Sequence, residues 1–74
     1  VELEGYKFYS LMDSFGNDIG SYGKKSVYDL KLICDLAKDA KAFNTLGWVK
    51  NKVEDNLIIL PTTTNSRDGI YIKI

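Results

Sequence analysis

The 74-residue chain contains no histidine and one cysteine, one proline, one methionine and one tryptophan. Without histidine it lacks the side chain that most readily acts as a general base near neutral pH, and the commonest protein ligand for zinc and copper. A single Cys34 excludes an internal disulfide, on which small extracellular domains usually depend, so cysteine use points to a reducing compartment or the interior of a particle. There is no surplus of either charge: 10 Lys and Arg face 10 Asp and Glu, with a pI near 6.3. Phosphate backbones are bound by a cationic excess, so nucleic acid is not an expected partner. Long hydrophobic runs are also missing. The longest, Leu57 to Leu60, falls far short of the roughly 20 residues that span a bilayer, so membrane insertion is not expected.

What is present fits one small globular domain: 45% of residues are hydrophobic and 27% charged, too apolar a mixture for a disordered chain. The length does not allow two cores. The sequence opens on Val1 rather than Met, and both ends read as parts of strands. Residues 1–74 are therefore expected to be one domain of a larger protein.

Along the chain, Tyr6 to Leu11 alternates in the manner of a strand. Asp13 to Asp18 crowds Asp, Ser, Gly and Asn into the composition of a structured loop, with a turn at Gly16-Asn17 and a short strand over Ile19 to Tyr22. Ser26, with Asp29 three positions on, is a helix N-cap signature that predicts a helix from Val27. Leu30, Ile33, Cys34 and Ala37 share one apolar stripe at helical spacing, extended by Val27 and broadened by Leu36 and Ala40. Ala42 to Lys50 reads as one strand bent or bulged at Gly47, and Leu57 to Leu60 as a short buried strand stopped by Pro61. Thr62 to Gly69 is a polar connection with a turn at Asp68-Gly69. Ile70 to Ile74 alternates strictly, predicting Ile70, Ile72 and Ile74 toward the core and Tyr71 and Lys73 outward. The order of elements predicts an α+β fold, one helix packed on an antiparallel sheet.

Three stretches in this order, Phe8 to Ile19, the helix with Cys34-Asp35, and Ala42-Phe-Asn-Thr-Leu-Gly-Trp-Val-Lys50, resemble the PAN/apple-like domain family. The likeness is to members with a D-S-x-G-x-D-I loop, a helix ending in C-D-x-x-x-x-C and a strand of the form F-N-T-x-G-W-L-K, and it covers residues 6 to 53. It implies one helix cradled by a curved antiparallel sheet, an extracellular setting, and a non-catalytic binding module for a glycan or protein surface. The family's bridge from helix to strand cannot form, because the position six residues after Cys34 is Ala40. The helix is then expected to be held by packing alone.

Candidate site residues are Asp13, Asn17, Asp18, Asn44, Trp48 and Lys50. Oxygen donors at Asp13, Ser14, Asn17 and Asp18 raise the question of calcium, but the spacing is not that of a calcium loop. The preferred reading is that both carboxylates accept backbone hydrogen bonds and shape the loop, with contact to sugar hydroxyls as a further reading. Trp48 could stack on a sugar ring beside Asn44 and Lys50; in so small a domain the core is the favoured place for both Phe43 and Trp48. Cys34 reads as a buried inert thiol. No catalytic residue, metal or cofactor is expected. The expected function is a non-catalytic module recognising a glycan or protein surface. The alternative is a structural domain packing on neighbouring domains or subunits of a larger assembly, such as a viral particle.

Overall fold

The computed structural model describes residues 2–61 and 63–74; Val1, and Thr62 at the head of the expected polar connection, lie outside the described residues. The helix α1 spans Val27–Leu36, and Ser26 caps it by accepting the Asp29 amide at 3.2 Å. Leu30 and Cys34 are fully buried, with Val27, Ile33 and Ala37 packed at their margins, as the apolar spacing predicts. Leu36 departs from that expectation at 76% exposure. It lies about a third of a turn around the helix from Leu30, off the covered stripe, whereas Ala37 one residue further on still packs against the core.

Among the described residues seven strands accompany the helix: β1 Tyr6–Ser10, β2 Met12–Asp13, β3 Asp18–Ser21, β4 Ala42–Asn44, β5 Trp48–Lys50, β6 Ile58–Ile59 and β7 Gly69–Lys73. Five form an antiparallel sheet in the order β1-β7-β4-β5-β3, and β2 pairs with β6 in a separate two-stranded ribbon. The α+β architecture is thus present, with one helix on an antiparallel sheet.

The register explains where the core sits. Phe8 stands opposite Tyr71, Tyr71 opposite Phe43 and Phe43 opposite Val49, so one transverse row carries three rings and a valine on the face toward α1. Phe43 stacks on Tyr71 with centroids 5.0 Å apart, Phe8 meets Tyr71 at 4.5 Å, and Tyr6 meets Phe43 edge-on at 5.5 Å. Each such pair contributes about 0.5–1.5 kcal/mol beyond the burial of area.

Strand alternation places the neighbours of that row on the opposite face: Ala42, Asn44, Trp48, Lys50, Ile70 and Ile72. This reverses the expected facing of the last strand. Tyr71 lies in the helix-side core, Ile70 is buried on the other side, and Ile74 is 91% exposed. Alternation alone could not assign the faces, because β7 lies between β1 and β4 with its first three residues all buried.

Ala42 to Lys50 is a hairpin and not one bent strand. The turn needs Gly47 at φ +100°, and a Cβ there would run into the carbonyl of Gly23. The segment 57–60 is mostly uncovered: Ile58 and Ile59 are exposed on the ribbon, and only Leu60 is buried. The predicted Asp68-Gly69 turn lies earlier, over Ser66-Arg67, closed by the Asp68 amide on the Asn65 carbonyl at 2.9 Å. Leu11, at φ 59°, makes the corner between β1 and β2; its amide donates to the Asp68 carbonyl (2.7 Å) and its carbonyl accepts from Leu60 (2.8 Å). Those two bonds hold a bulky residue in a conformation it seldom adopts.

The helix is not held by packing alone. The Tyr6 hydroxyl donates to Asp35 Oδ1 at 2.7 Å, and Lys73 Nζ donates to the Cys34 carbonyl at 2.8 Å, placing a cation at the C-terminal end where the helix dipole favours it. If Leu30 and Leu36 sit as described, Leu30→Ala should cost about 2–5 kcal/mol in urea unfolding. Leu36→Ala should change stability by less than about 0.5 kcal/mol. Equal costs would contradict the facing of the helix.

Candidate functional site

The face of the sheet away from α1 carries a polar network built around Lys50. Val49 belongs to the helix-side core, so Lys50 points to the other face, where it is only 2% exposed. An ammonium group there is costly unless it is paired and hydrogen-bonded. Three segments supply its partners. Asp18 stands opposite Lys50 in the β3–β5 register and accepts from Nζ at 2.6 Å. The Gly16 carbonyl accepts at 3.0 Å, and Asp13 Oδ1, brought in by β2, lies 4.0 Å away.

Asn44 extends the network. Its Nδ2 donates to Asp13 Oδ1 at 3.1 Å, while its Oδ1 accepts from the amides of Leu46 and Trp48, both at 3.1 Å, which folds the β4–β5 turn back on itself. Asn17 takes φ 59°, a conformation asparagine tolerates, and fastens the outer edge: Nδ2 donates to Glu54 Oε2 at 2.9 Å, and its carbonyl accepts from Asn51 at 3.0 Å. Buried Ser14 accepts from the Glu54 amide at 2.8 Å. The loop from Ser14 to Asn17 is thus fixed from both sides.

The fold therefore brings Asp13, Asp18, Asn44 and Lys50 together, with Asn17 at the rim. Among the described residues the carboxylates are held by side-chain donors from Asn44 and Lys50, and not by the backbone amides expected of them. Among the described residues no group of three or more His, Cys, Asp or Glu is placed to hold a metal ion. Phe43 is in the core, whereas Trp48 is not: it is 40% exposed, two residues from Lys50 on the same face. Strand pairing assigns the helix-side position to Val49, which leaves Trp48 at the uncovered margin. Glu54 and the anchoring role of Ser14 were invisible in sequence, since their bonds join residues 37 and 40 positions apart.

Cys34 is a free buried thiol. Burial pushes its pKa up; the Tyr6 hydroxyl and the charge of Lys73 oppose this, and Asp35 adds to it. Burial raises the Tyr6 phenol as well, and the Lys31 ammonium, then Tyr6, hold the Asp35 carboxyl below the usual range. No helix among the described residues is long and apolar enough to cross a membrane.

No family model matches the chain, and no solved structure matches it. Two proteins of Acanthamoeba polyphaga mimivirus are similar to it over 97% of its length. One, provisionally named a glycosyltransferase, is 39% identical, and the other, provisionally named a fucosyltransferase, is 34% identical. The chain spans 22% of the first and 12% of the second. These relatives overturn the expectation of a non-catalytic module, or of a structural assembly domain, and the expectation that the chain has no enzymatic connection: both are named for the transfer of sugars.

Two outcomes follow from this geometry. Lys50→Met leaves Asp13 and Asp18 without their cation and should cost about 3 kcal/mol in denaturant unfolding, near the low end for a broken buried pair because Asp18 keeps solvent contact. A cost under about 1 kcal/mol would mean that the network does not organise this face. Cys34 should resist a thiol reagent at mildly alkaline pH until the chain is unfolded, then react like a free thiol. Its raised folded-state pKa contributes stability below the unfolded thiol's pKa, and this is lost as pH rises through the folded value. Prompt reaction in native buffer would contradict the burial.

Proposed function

We propose that this chain is a working part of a sugar-transferring enzyme, and that the face carrying Lys50 holds the saccharide that receives the transferred sugar. The observation that carries the reading is the similarity, over nearly the whole chain, to two proteins named for sugar transfer. The geometry supports the assignment of a face. Trp48 offers a partly exposed ring suited to stacking on the apolar side of a sugar, two residues along the strand from Lys50. Asp18, with Oδ1 on Lys50 and its side chain 31% exposed, accepts from a sugar hydroxyl, and Asn17 and Asn44 frame the same loop. Lys50 acts by fixing Asp18 rather than by touching the sugar, since its own charge is buried. A helix on an antiparallel sheet also supports reading the fold as PAN/apple-like, with a glycan as the partner.

The test is a transfer assay on the polypeptide containing this chain, supplied with sugar nucleotides and a panel of saccharide acceptors. Trp48→Ala should raise the acceptor KM by about tenfold and leave kcat within about twofold, because the ring contributes binding common to ground and transition states. Trp48→Phe should restore part of the loss. Absence of transfer with every donor would sink the enzymatic reading; transfer with an unchanged acceptor KM in Trp48→Ala would sink the assignment of this face.

A further inference from the structure

A second feature lies at the other end of the sheet, at the start of α1. Lys24 and Lys25 from the β3–α1 loop and Arg67 from the turn before β7 line one cavity of about 350 Å³, with Val27 and Tyr71 among its walls. The size is that of a site for a small ligand or for one end of a larger one. None of these three cations forms an ion pair with the described residues, whereas Lys31, Lys50 and Lys52 all do. The one carboxylate on the wall is Asp68, and both its oxygens are engaged: Oδ1 accepts from Thr45 Oγ1 at 2.9 Å and Oδ2 from Thr63 Oγ1 at 2.8 Å. Three cations without an ion pair thus outnumber the single carboxylate on the wall, whose two oxygens are held by hydroxyls.

The surroundings favour an anion further. Ser26 lies on the wall, its side chain capping the Asp29 amide and its carbonyl accepting from Leu30, so the amides of Val27 and Tyr28 remain the helix's first donors without intrahelical partners. Asn65 uses Oδ1 to accept the Arg67 amide at 2.9 Å, which fixes the base of the arginine and leaves the Asn65 amide nitrogen free to donate. The loop bearing the two lysines is held in place before any ligand arrives. The Tyr22 amide donates to the Gly47 carbonyl at 2.9 Å, and Gly23 packs so closely on Gly47 that a side chain at position 47 would run into its backbone. A cationic cavity on a fixed backbone loses less freedom on binding than a mobile one.

We propose that this cavity binds the phosphate group of a small phosphorylated ligand, with Arg67 engaging two phosphate oxygens and Lys24 and Lys25 supplying charge. It is a separate site from the Lys50 face, and the proposal does not rest on the sugar-transfer reading.

The test is an NMR amide-shift titration of the 74-residue chain in low-salt buffer with inorganic phosphate, pyrophosphate and a nucleoside diphosphate in turn. Saturable shifts confined to residues 24–28, 45 and 65–68, weakening as salt is added, support the site. Equal affinity for all three would define recognition of phosphate alone, and preference for the nucleoside diphosphate would define a nucleotide as the source; both support the proposal. Lys25→Ala with Arg67→Ala should weaken binding by about tenfold or more, while Lys52→Ala should stay within about twofold. The spectrum of the double variant away from the cavity reports whether the fold persists, and Arg67→Lys serves in its place if it does not. Shifts that never saturate, that spread to Lys7, Lys38 and Lys52, or that survive the double variant would overturn it.

Discussion

A cation buried against a sheet constrains more of this molecule than any other single group. Lys50 sits on β5 because Val49 beside it must face the helix, and strand alternation then turns the ammonium inward on the other side. Satisfying it recruits Asp18 from β3, Gly16 from the loop and Asp13 from β2, and Asp13 in turn engages Asn44 on β4. That charge joins the Ser14 and Asn17 bonds in holding the short polar loop on the sheet. Replacing such a group with an apolar residue could suit stability, yet it would not pin four segments in one arrangement.

The helix side relies on different physics. The transverse row of Phe8, Tyr71, Phe43 and Val49 supplies a flat apolar platform, and α1 places Leu30 and Cys34 on it. A disulfide from helix to strand is precluded, because Cys34 is the single cysteine of the sequence. Its tethering role falls to two polar contacts at the C-terminal end of α1, Tyr6 to Asp35 and Lys73 to the Cys34 carbonyl. Lys31 joins that corner, paired with Asp35 at 2.7 Å and lying over the Tyr6 ring. Hydrogen bonds tether less strongly than a covalent link, so the aromatic platform carries most of the burden.

The domain thus presents two chemically distinct regions. One is an ion-paired polar face with a tryptophan at its margin, and the other a cationic cavity with no ion pair among its described residues. Their separation follows from the topology. Lys50 and its acidic partners are gathered where β2, β3 and β5 meet, while Lys24, Lys25 and Arg67 come from connections at the opposite end of those strands. A chain with no net charge can therefore carry a local cationic excess, which the overall balance of 10 against 10 conceals. The same balance argues only against a broad polyanion such as nucleic acid.

The sequence by itself determined the helix, its cap and its buried stripe, because those depend on residues within a few positions of one another. It also determined the first and last strands, β1 and β7, and the polar loop between Asp13 and Asp18, although those two residues themselves lie in β2 and β3. The hairpin at Gly47, the inward Tyr71, the outward Trp48 and the exposed ribbon were decided only by tertiary structure. Each depends on which strand lies beside which, and a period of two does not say which face is covered. Asp13, Asp18, Asn44 and Lys50 could be singled out by type, but their union around one ammonium required β2, β3, β4 and β5 to be placed. The cavity at Lys24, Lys25 and Arg67 left no sequence signal, since the two lysines lie more than 40 positions from the arginine and meet it only when β7 enters the sheet beside β4.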